Sequence, residues 1–206
     1  MCGRYSFGRT DRLDWISFGV APIPDLVPNW NISPGTNVLA IRQRTTGREA
    51  KMLRWGLVPH WAQDPSIGHR LVNARAESAH EKPAFRDGFA VRRCLLPADG
   101  FYEWQVVQGQ KKKQPWRVER QDGRLCALGA IWERWRLPSG ESLETCVILT
   151  VPANRELAPI HDRMPVIITP EAYGEWLSPA TSLDRVRALS TPTPDSLLEV
   201  SPESSI

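Results

Sequence analysis

A chain of 206 residues, 41% hydrophobic and 24% charged, can build one substantial core but is short for two, so a single globular domain is expected. With 26 basic against 23 acidic residues the formal charge is only +3, which excludes a global polycation but leaves room for a basic groove balanced by acidic surface elsewhere. No run of about 18 apolar residues occurs, so no membrane-spanning helix is expected.

Residues 3–7 read as a short strand that carries the terminus into the body of the fold. Thr10 can cap a helix over residues 11–18, with Leu13, Trp15 and Ile16 as its apolar residues. Pro22, Pro24 and Pro28 enforce an extended passage. Asn31-Ile32-Ser33-Pro34-Gly35 is a turn by composition. Strands at 38–42 and 49–57, joined by a turn at 45–47, form a hairpin. Trp55, His60 and Trp61 then surround Gly56 and Pro59, as either a packed loop over a core Trp or a ligand-stacking surface. After a strand-like stretch at 70–72, Asn73, Arg75 and Glu77 offer an amide, a guanidinium and a carboxylate together. Arg75 at a strand end suits a phosphate or, equally, a salt bridge.

A short helix at 77–82 and a buried strand at 92–97 with a basic entry come next. In the strand at 101–107, Glu103 lies between Tyr102 and Trp104. A carboxylate there is either at a solvated edge or desolvated for proton transfer. Lys111-Lys112-Lys113 is most simply a solvated hairpin tip, with phosphate contact as the other reading. Strands at 116–120, 125–132 and 145–151 are separated by Asp122-Gly123 and Pro138-Ser139-Gly140. Residues 154–160 form a short helix or turn that ends at His161, a loop residue ahead of a strand at 166–169. Thr169-Pro170-Glu171 opens a helix through Trp176, Ser182 opens another, and the polar tail from Pro192 is expected to be draped or disordered. The domain is placed at 1–190 and the tail at 191–206.

Chemistry concentrates at the start, Met1-Cys2-Gly3-Arg4. Loss of Met1 to an aminopeptidase would leave Cys2 with a free α-amine, titrating near ~8, beside a thiol titrating near ~8.5. Such an aminothiol can attack one aldehyde twice, first as a Schiff base and then by closure to a thiazolidine. The plain alternative is an ordinary residue at a frayed end. Cys94, Cys126 and Cys146 each sit in an apolar run and read as small hydrophobes. The four cysteines form no CxxC pair, which argues against a zinc knuckle or dithiol motif, and a reducing cytosol is expected. No phosphate loop, HExxH or GxSxG occurs, so Cys2, Glu103 and His161 are the best trio of nucleophile and acid/base groups.

Six ordered motifs resemble those of the SRAP family (SOS response-associated peptidase, or abasic-site-processing proteins). They are Met1-Cys2-Gly3-Arg4, Asn31-Ile32-Ser33-Pro34-Gly35, Trp55-Gly56-Leu57-Val58-Pro59, Asn73-Ala74-Arg75-Ala76-Glu77, 98–104 around Glu103, and His161-Asp162-Arg163-Met164-Pro165. The resemblance implies an α+β, β-rich single domain with distorted barrel-like antiparallel sheets and a few short helices. It implies capture of an abasic-site aldehyde in single-stranded DNA by Cys2 as a thiazolidine cross-link, with associated lyase activity and autocatalytic loss of Met1. Asn73 would hydrogen-bond near the Cys2 terminus and the sugar, Glu103 would orient or deprotonate the α-amine, and His161 would shuttle the proton that opens the sugar ring. Arg4, Arg75 and Arg163 are expected at phosphates, Trp61 and Trp104 along the unstacked strand, and Pro34 at the pocket wall. No metal or cofactor, no membrane, a monomer, replication-fork partners and a cytoplasmic, nucleoid-associated location complete the expectation. Ser33 in place of a frequent Ala, and His60 beside Trp61, depart from the pattern. A class II glutamine amidotransferase-like enzyme and a non-catalytic strand-binding module are the alternatives, the first lacking its Arg-Gly-Pro-Asp and Asn-Gly-Glu segments.

Overall fold

In chain order the strands are β1 (Arg4–Phe7), β2 (Asn29–Ile32), β3 (Asn37–Arg44), β4 (Gly47–Trp55), β5 (Asn73–Arg75) and β6 (Arg93–Ala98). They continue as β7 (Gly100–Gln105), β8 (Gln114–Arg120), β9 (Cys126–Arg136), β10 (Ser142–Pro152), β11 (Arg163–Pro165) and β12 (Leu198–Pro202). Short helices α1 (Trp15–Phe18), α2 (Ala76–Ala79), α3 (Arg86–Val91), α4 (Tyr173–Leu177) and α5 (Leu183–Leu189) lie between them. This computed structural model describes residues 2–137 and 139–204. Pro138 of the expected turn, Met1 and the last two residues of the tail lie outside them.

The hairpin of β3 and β4 pairs from Asn37↔Arg54 to Arg44↔Gly47, and Gly47 takes the positive φ (125°) that its turn requires. From it a barrel closes. β6 pairs with β3, β9 with β6, and β10 with β9, while β10 also runs parallel to β4 through Thr145↔Arg54 and Cys146↔Trp55. β10-β4-β3-β6-β9 therefore returns on itself and leaves no free edge around the ring. β5 and β11 extend the same β10 strand. The second sheet is antiparallel throughout, in the order β12-β8-β7-β1-β2. Asp99 is the joint between them, since β6 belongs to the barrel and β7 to the open sheet.

Buried apolar residues of every barrel strand form the core, with Cys94, Cys126 and Cys146 free and enclosed in it. The basic entry at Arg92-Arg93 has a structural purpose. Arg93 is buried, and its Nε donates to the Trp176 carbonyl (2.6 Å) while Nη1 donates to that of Phe89 (2.7 Å). Further bonds to Ala90 and Ser178 carbonyls make this guanidinium the cap of both α3 and α4, where helix C-termini carry partial negative charge. Burial lowers its pKa to about 10, which still keeps it cationic at neutral pH.

Several elements differ from expectation. The stretch at 70–72 is not a strand: Asp64 accepts the Ser66 N–H at 2.8 Å and caps a 3-10 helix over Pro65–Arg70, and the strand begins only at β5. The helix at 11–18 is a 3-10 turn at Thr10–Arg12 followed by the single turn of α1. Asp14, not Thr10, is its cap, accepting from the Ser17 N–H at 3.0 Å; that side-chain bond competes with helical continuation through Leu13. The strand at 166–169 is displaced to β11. Val166 donates to Leu149 of β10, but its carbonyl accepts from Gly129 of β9 and Ile168 donates to Ala127, so past β11 the chain passes from β10 to β9 and makes there a single bridge, Leu128↔Ile167, instead of a strand ladder. The tail contributes β12, paired with β8 from Leu198↔Arg120 to Pro202↔Trp116 and buried at Leu198, so 198–202 is neither draped nor disordered. α3, which no cap in the sequence announces, owes its end to Arg93.

Gly56 and Gly68 are in backbone contact, and this contact folds the Trp61-bearing loop back on itself. A Cβ on Gly56 would meet the Gly68 carbonyl oxygen at 2.8 Å, at a φ of +129°. Gly56→Ala is expected to destabilise the fold by more than about 1 kcal/mol in urea unfolding, whereas Gly123→Ala, at positive φ but in open space, should cost less.

Candidate functional site

β1 is an interior strand, held on one side by β2 and on the other by β7 in the register Arg4↔Tyr102, Tyr5↔Phe101 and Ser6↔Gly100. One pair further along this register, Gly3 comes opposite Glu103. Asp99 clamps the other end: its buried carboxylate accepts the backbone N–H groups of Gly8 and Arg9, the latter at 3.2 Å. The N-terminal strand is thus fixed at both ends and Cys2 is fully enclosed, which rules out the frayed-end reading.

Asn73, at the start of β5, donates from Nδ2 to the Cys2 carbonyl at 2.8 Å, and its Oδ1 is buried with no hydrogen-bond partner among the described residues. Burial pushes the Cys2 thiol up, and the nearby Glu103 charge adds to this. Glu103 is itself buried, which raises its pKa from 4.5 to about 7. His161 Nε2 stands 3.9 Å from Glu103 Oε2. His161 Nδ1 accepts the Arg163 backbone N–H at 3.0 Å in the neutral ring that carries its proton on Nε2, the nitrogen facing Glu103; Asp162 Oδ1, 3.1 Å from the same Nδ1, competes by drawing a proton there. Burial lowers the His161 pKa and favours that neutral form. Cys2, Asn73, Glu103 and His161, scattered over 160 residues of sequence, come together here.

The expected DNA contacts divide into groups. Trp61 (52% exposed), Asn73 and Arg75 line one cleft of about 610 Å³ with Ser78, Lys82 and Phe85. Pro34 is the second residue of the Ser33–Thr36 turn, with Gly35 at φ +89° behind it, and Gly35 N–H bonds the Trp55 carbonyl at 2.7 Å. Arg4 reaches Asn31 Oδ1 at 2.5 Å, and Trp104, half-buried, follows Glu103 directly. Arg163 is different. It is 8% exposed and holds Glu77 through both terminal nitrogens, with Nη2 also donating to the Thr150 carbonyl at 2.6 Å, so a phosphate would have to displace Glu77. That pairing also accounts for Glu77, whose carboxylate Arg163 holds below its ordinary pKa. His60 instead contacts Glu133 at 3.2 Å.

The sequence reading missed Gln105, whose Oε1 accepts from Trp116 Nε1 (3.1 Å) and whose Nε2 donates to the Pro159 carbonyl (2.9 Å), tying β7 to the His161 loop. The two-residue period of a strand from Glu103 would have found it. A second cavity of about 550 Å³, lined by Arg12, Arg120, Arg124 and Tyr173, lies toward the far end of β8 from Trp116 and includes none of these residues.

The family described as SOS response associated peptidase (SRAP) matches residues 1–205. This chain belongs to the SRAP family. Its relatives include the abasic site processing protein YoqW of Bacillus subtilis, 40% identical over 197 residues that cover 93% of this chain and 87% of that protein. The abasic site processing protein YedK of Escherichia coli is 33% identical, covering 86% of this chain and 79% of its own. The abasic site processing protein HMCES of Mus musculus is also 33% identical, over 73% of this chain and 53% of its own. Among solved structures, a protein from Bordetella bronchiseptica superposes with a TM-score of 0.84 at 27% identity, over 99% of this chain and 100% of that one. A protein from Bacteroides thetaiotaomicron gives 0.87 at 24% identity, over 98% and 91%. The β-rich barrel-and-sheet architecture expected of an SRAP domain is the one observed. No helix among the described residues is long and apolar enough to cross a membrane.

Because the Glu103 pKa lies above that of an unfolded glutamate, the stability its neutral form contributes is complete below about 4.5 and is lost as pH rises through about 7. Glu103→Gln should therefore gain thermal stability over the parent between pH 5 and 7.5, with the gap constant at higher pH. Equal melting temperatures across that range would mean that the carboxylate is not desolvated.

Proposed function

We propose that this chain processes abasic sites in single-stranded DNA, capturing the sugar aldehyde covalently through Cys2 once Met1 is gone. The observation that carries the reading is the convergence of Cys2, Asn73, Glu103 and His161, with a buried unpartnered acceptor on Asn73, beside a cleft lined by Trp61 and Arg75. The names of its SRAP relatives point to the same lesion.

The abasic sugar is largely a closed hemiacetal, so its ring must open before an amine can attack. Opening moves the C1 hydroxyl proton away and delivers a proton to the ring oxygen; His161, neutral and carrying its proton on Nε2, is suited to that shuttle. Glu103, titrating at about 7, accepts the proton that the Cys2 ammonium gives up near neutral pH. The freed amine adds to the aldehyde carbon and water leaves, giving an imine. The Cys2 sulfur then adds to the same carbon, its proton passing to the nitrogen, and the thiazolidine closes. At the imine stage the C2 proton is acidic, and its loss expels the 3′ phosphate, which is the strand-cleaving branch. Ring closure removes the imine and protects the strand. Arg4 and Arg75 hold phosphates in this reading, Trp61 and Trp104 stack along the unpaired strand, Pro34 walls the pocket, and Arg163 acts on the strand only by exchanging Glu77 for a phosphate. Release of Met1 by the same site is part of the proposal.

Incubation with an abasic oligonucleotide, heating in denaturant and intact mass spectrometry should reveal the protein plus the oligonucleotide less one water. Unmodified protein after Met1 removal would refute the reading. Cys2→Ser should retain strand cleavage through the imine yet lose the heat-stable adduct; a durable adduct in that variant would contradict ring closure. His161→Ala should slow adduct formation and its reversal by about 10²-fold or more while changing affinity little, as followed by release from preformed adduct.

A further inference from the structure

The cations left unused by this chemistry gather at the tip of the hairpin between β7 and β8. Lys111, Lys112 and Lys113 are exposed and, among the described residues, none is paired with a carboxylate. Val106, at the other side of the tip, is 75% exposed, so an aliphatic side chain accompanies the three ammonium groups. A solvated tip needs no fixed position, but this one has an anchored base. The last ladder pair is Gln105↔Gln114, which places Lys113 one residue beyond it. Gln105 is bonded to Trp116 on one side and to the Pro159 carbonyl on the other, two residues before His161. Glu103 and the tip share one strand, so the lysines begin about 10 Å, three residues of strand, from the reacting centre. The charge of Lys113 is felt at His161, where it adds to the burial that lowers the imidazole pKa. Trp104, at the edge of the proposed strand path, lies between Glu103 and this tip.

We propose that Lys111, Lys112 and Lys113 form a phosphate-binding arm that grips the DNA backbone next to the lesion, on the Trp104 side. The arm rests on the reading of this chain as an abasic-site protein and extends its interface beyond the cleft at Trp61 and Arg75. Its position at the hairpin tip, at the end of β7 away from the Asp99 joint, gives the strand a cationic support in addition to Arg75. An acidic protein surface would meet the same charges, but the neighbouring aromatic Trp104 and the continuity with the reaction centre favour a nucleic-acid strand.

The test measures binding to a single-stranded oligonucleotide carrying tetrahydrofuran at the lesion, which has no aldehyde and cannot be trapped. Affinity is followed from low to moderate salt for the parent, for Lys111→Ala/Lys112→Ala/Lys113→Ala and for the corresponding triple Arg variant. Each lost phosphate contact lowers the magnitude of the slope of log K against log salt by about 0.7 on a single strand, so the Ala variant should lose about 2 from the slope. Its affinity at low salt should fall more than tenfold, and the Arg variant should keep the parent slope. An unchanged slope in the Ala variant would overturn the arm and return the lysines to solvent, as would an equal loss in the Arg variant. A parent that binds this strand with the expected slope but forms no adduct on true abasic DNA would sink the proposed chemistry and leave the arm standing.

Discussion

The site depends on one buried tryptophan. Trp55 ends β4 with no exposed surface, and the terminal strand, the Ser33–Thr36 turn and the approach to Asn73 are all fastened to it. Its ring packs against Tyr5 of β1 at 5.5 Å between centroids. Its carbonyl accepts from Gly35 and sets the turn that holds Pro34. Its indole N–H donates to the Val72 carbonyl at 2.8 Å, one residue before Asn73. An indole offers a large apolar face and one directed donor, so it can fill a core and fix a neighbouring strand simultaneously. The terminal strand, the Pro34 turn and β5 therefore take their positions from the barrel rather than from loops.

Enclosure governs the chemistry as much as proximity does. Glu103 sits on the inner face of the open sheet, where burial lifts it to about 7, and the same burial holds His161 toward its neutral form. Two groups that would differ in charge at neutral pH in water are brought to where each can give or take a proton. The thiol meets the same penalty as Glu103: burial and the neighbouring carboxylate both resist its ionisation in the unprocessed chain. In the proposed sequence the amine attacks first, and the thiol need lose its proton only when the imine carbon is already at hand.

Arginines of this protein serve two unlike purposes. Arg93 and Arg163 are buried and spend their donors on helix-end carbonyls or on Glu77. Arg42 is buried as well, lying 4.1 Å over the Trp132 ring and donating to Glu49 and Glu144. Arg75 faces solvent at the cleft, with Arg4 half-exposed at the mouth of β1. The charges are thus unevenly placed: Arg42 and Arg163 are neutralised inside the fold, whereas Arg75 is left to the solvent-facing cleft.

Much of this was readable from the residues. Alternating runs and glycine turns specify the β3–β4 hairpin and most of the later strands, because side-chain period and turn conformation are local properties. The apolar surroundings of Cys94, Cys126 and Cys146 mark them as core, and the ordered motifs nominate Cys2, Asn73, Glu103 and His161, which the fold brings together. What the sequence could not determine is set by pairing between distant segments. Closure of the barrel through β10, the recruitment of 198–202 as an edge strand beside β8, the inward turn of Arg163 onto Glu77, and the Gln105 bridge all join residues tens of positions apart. Such contacts depend on which surfaces the whole chain buries together, and that balance exists only once the tertiary structure has formed.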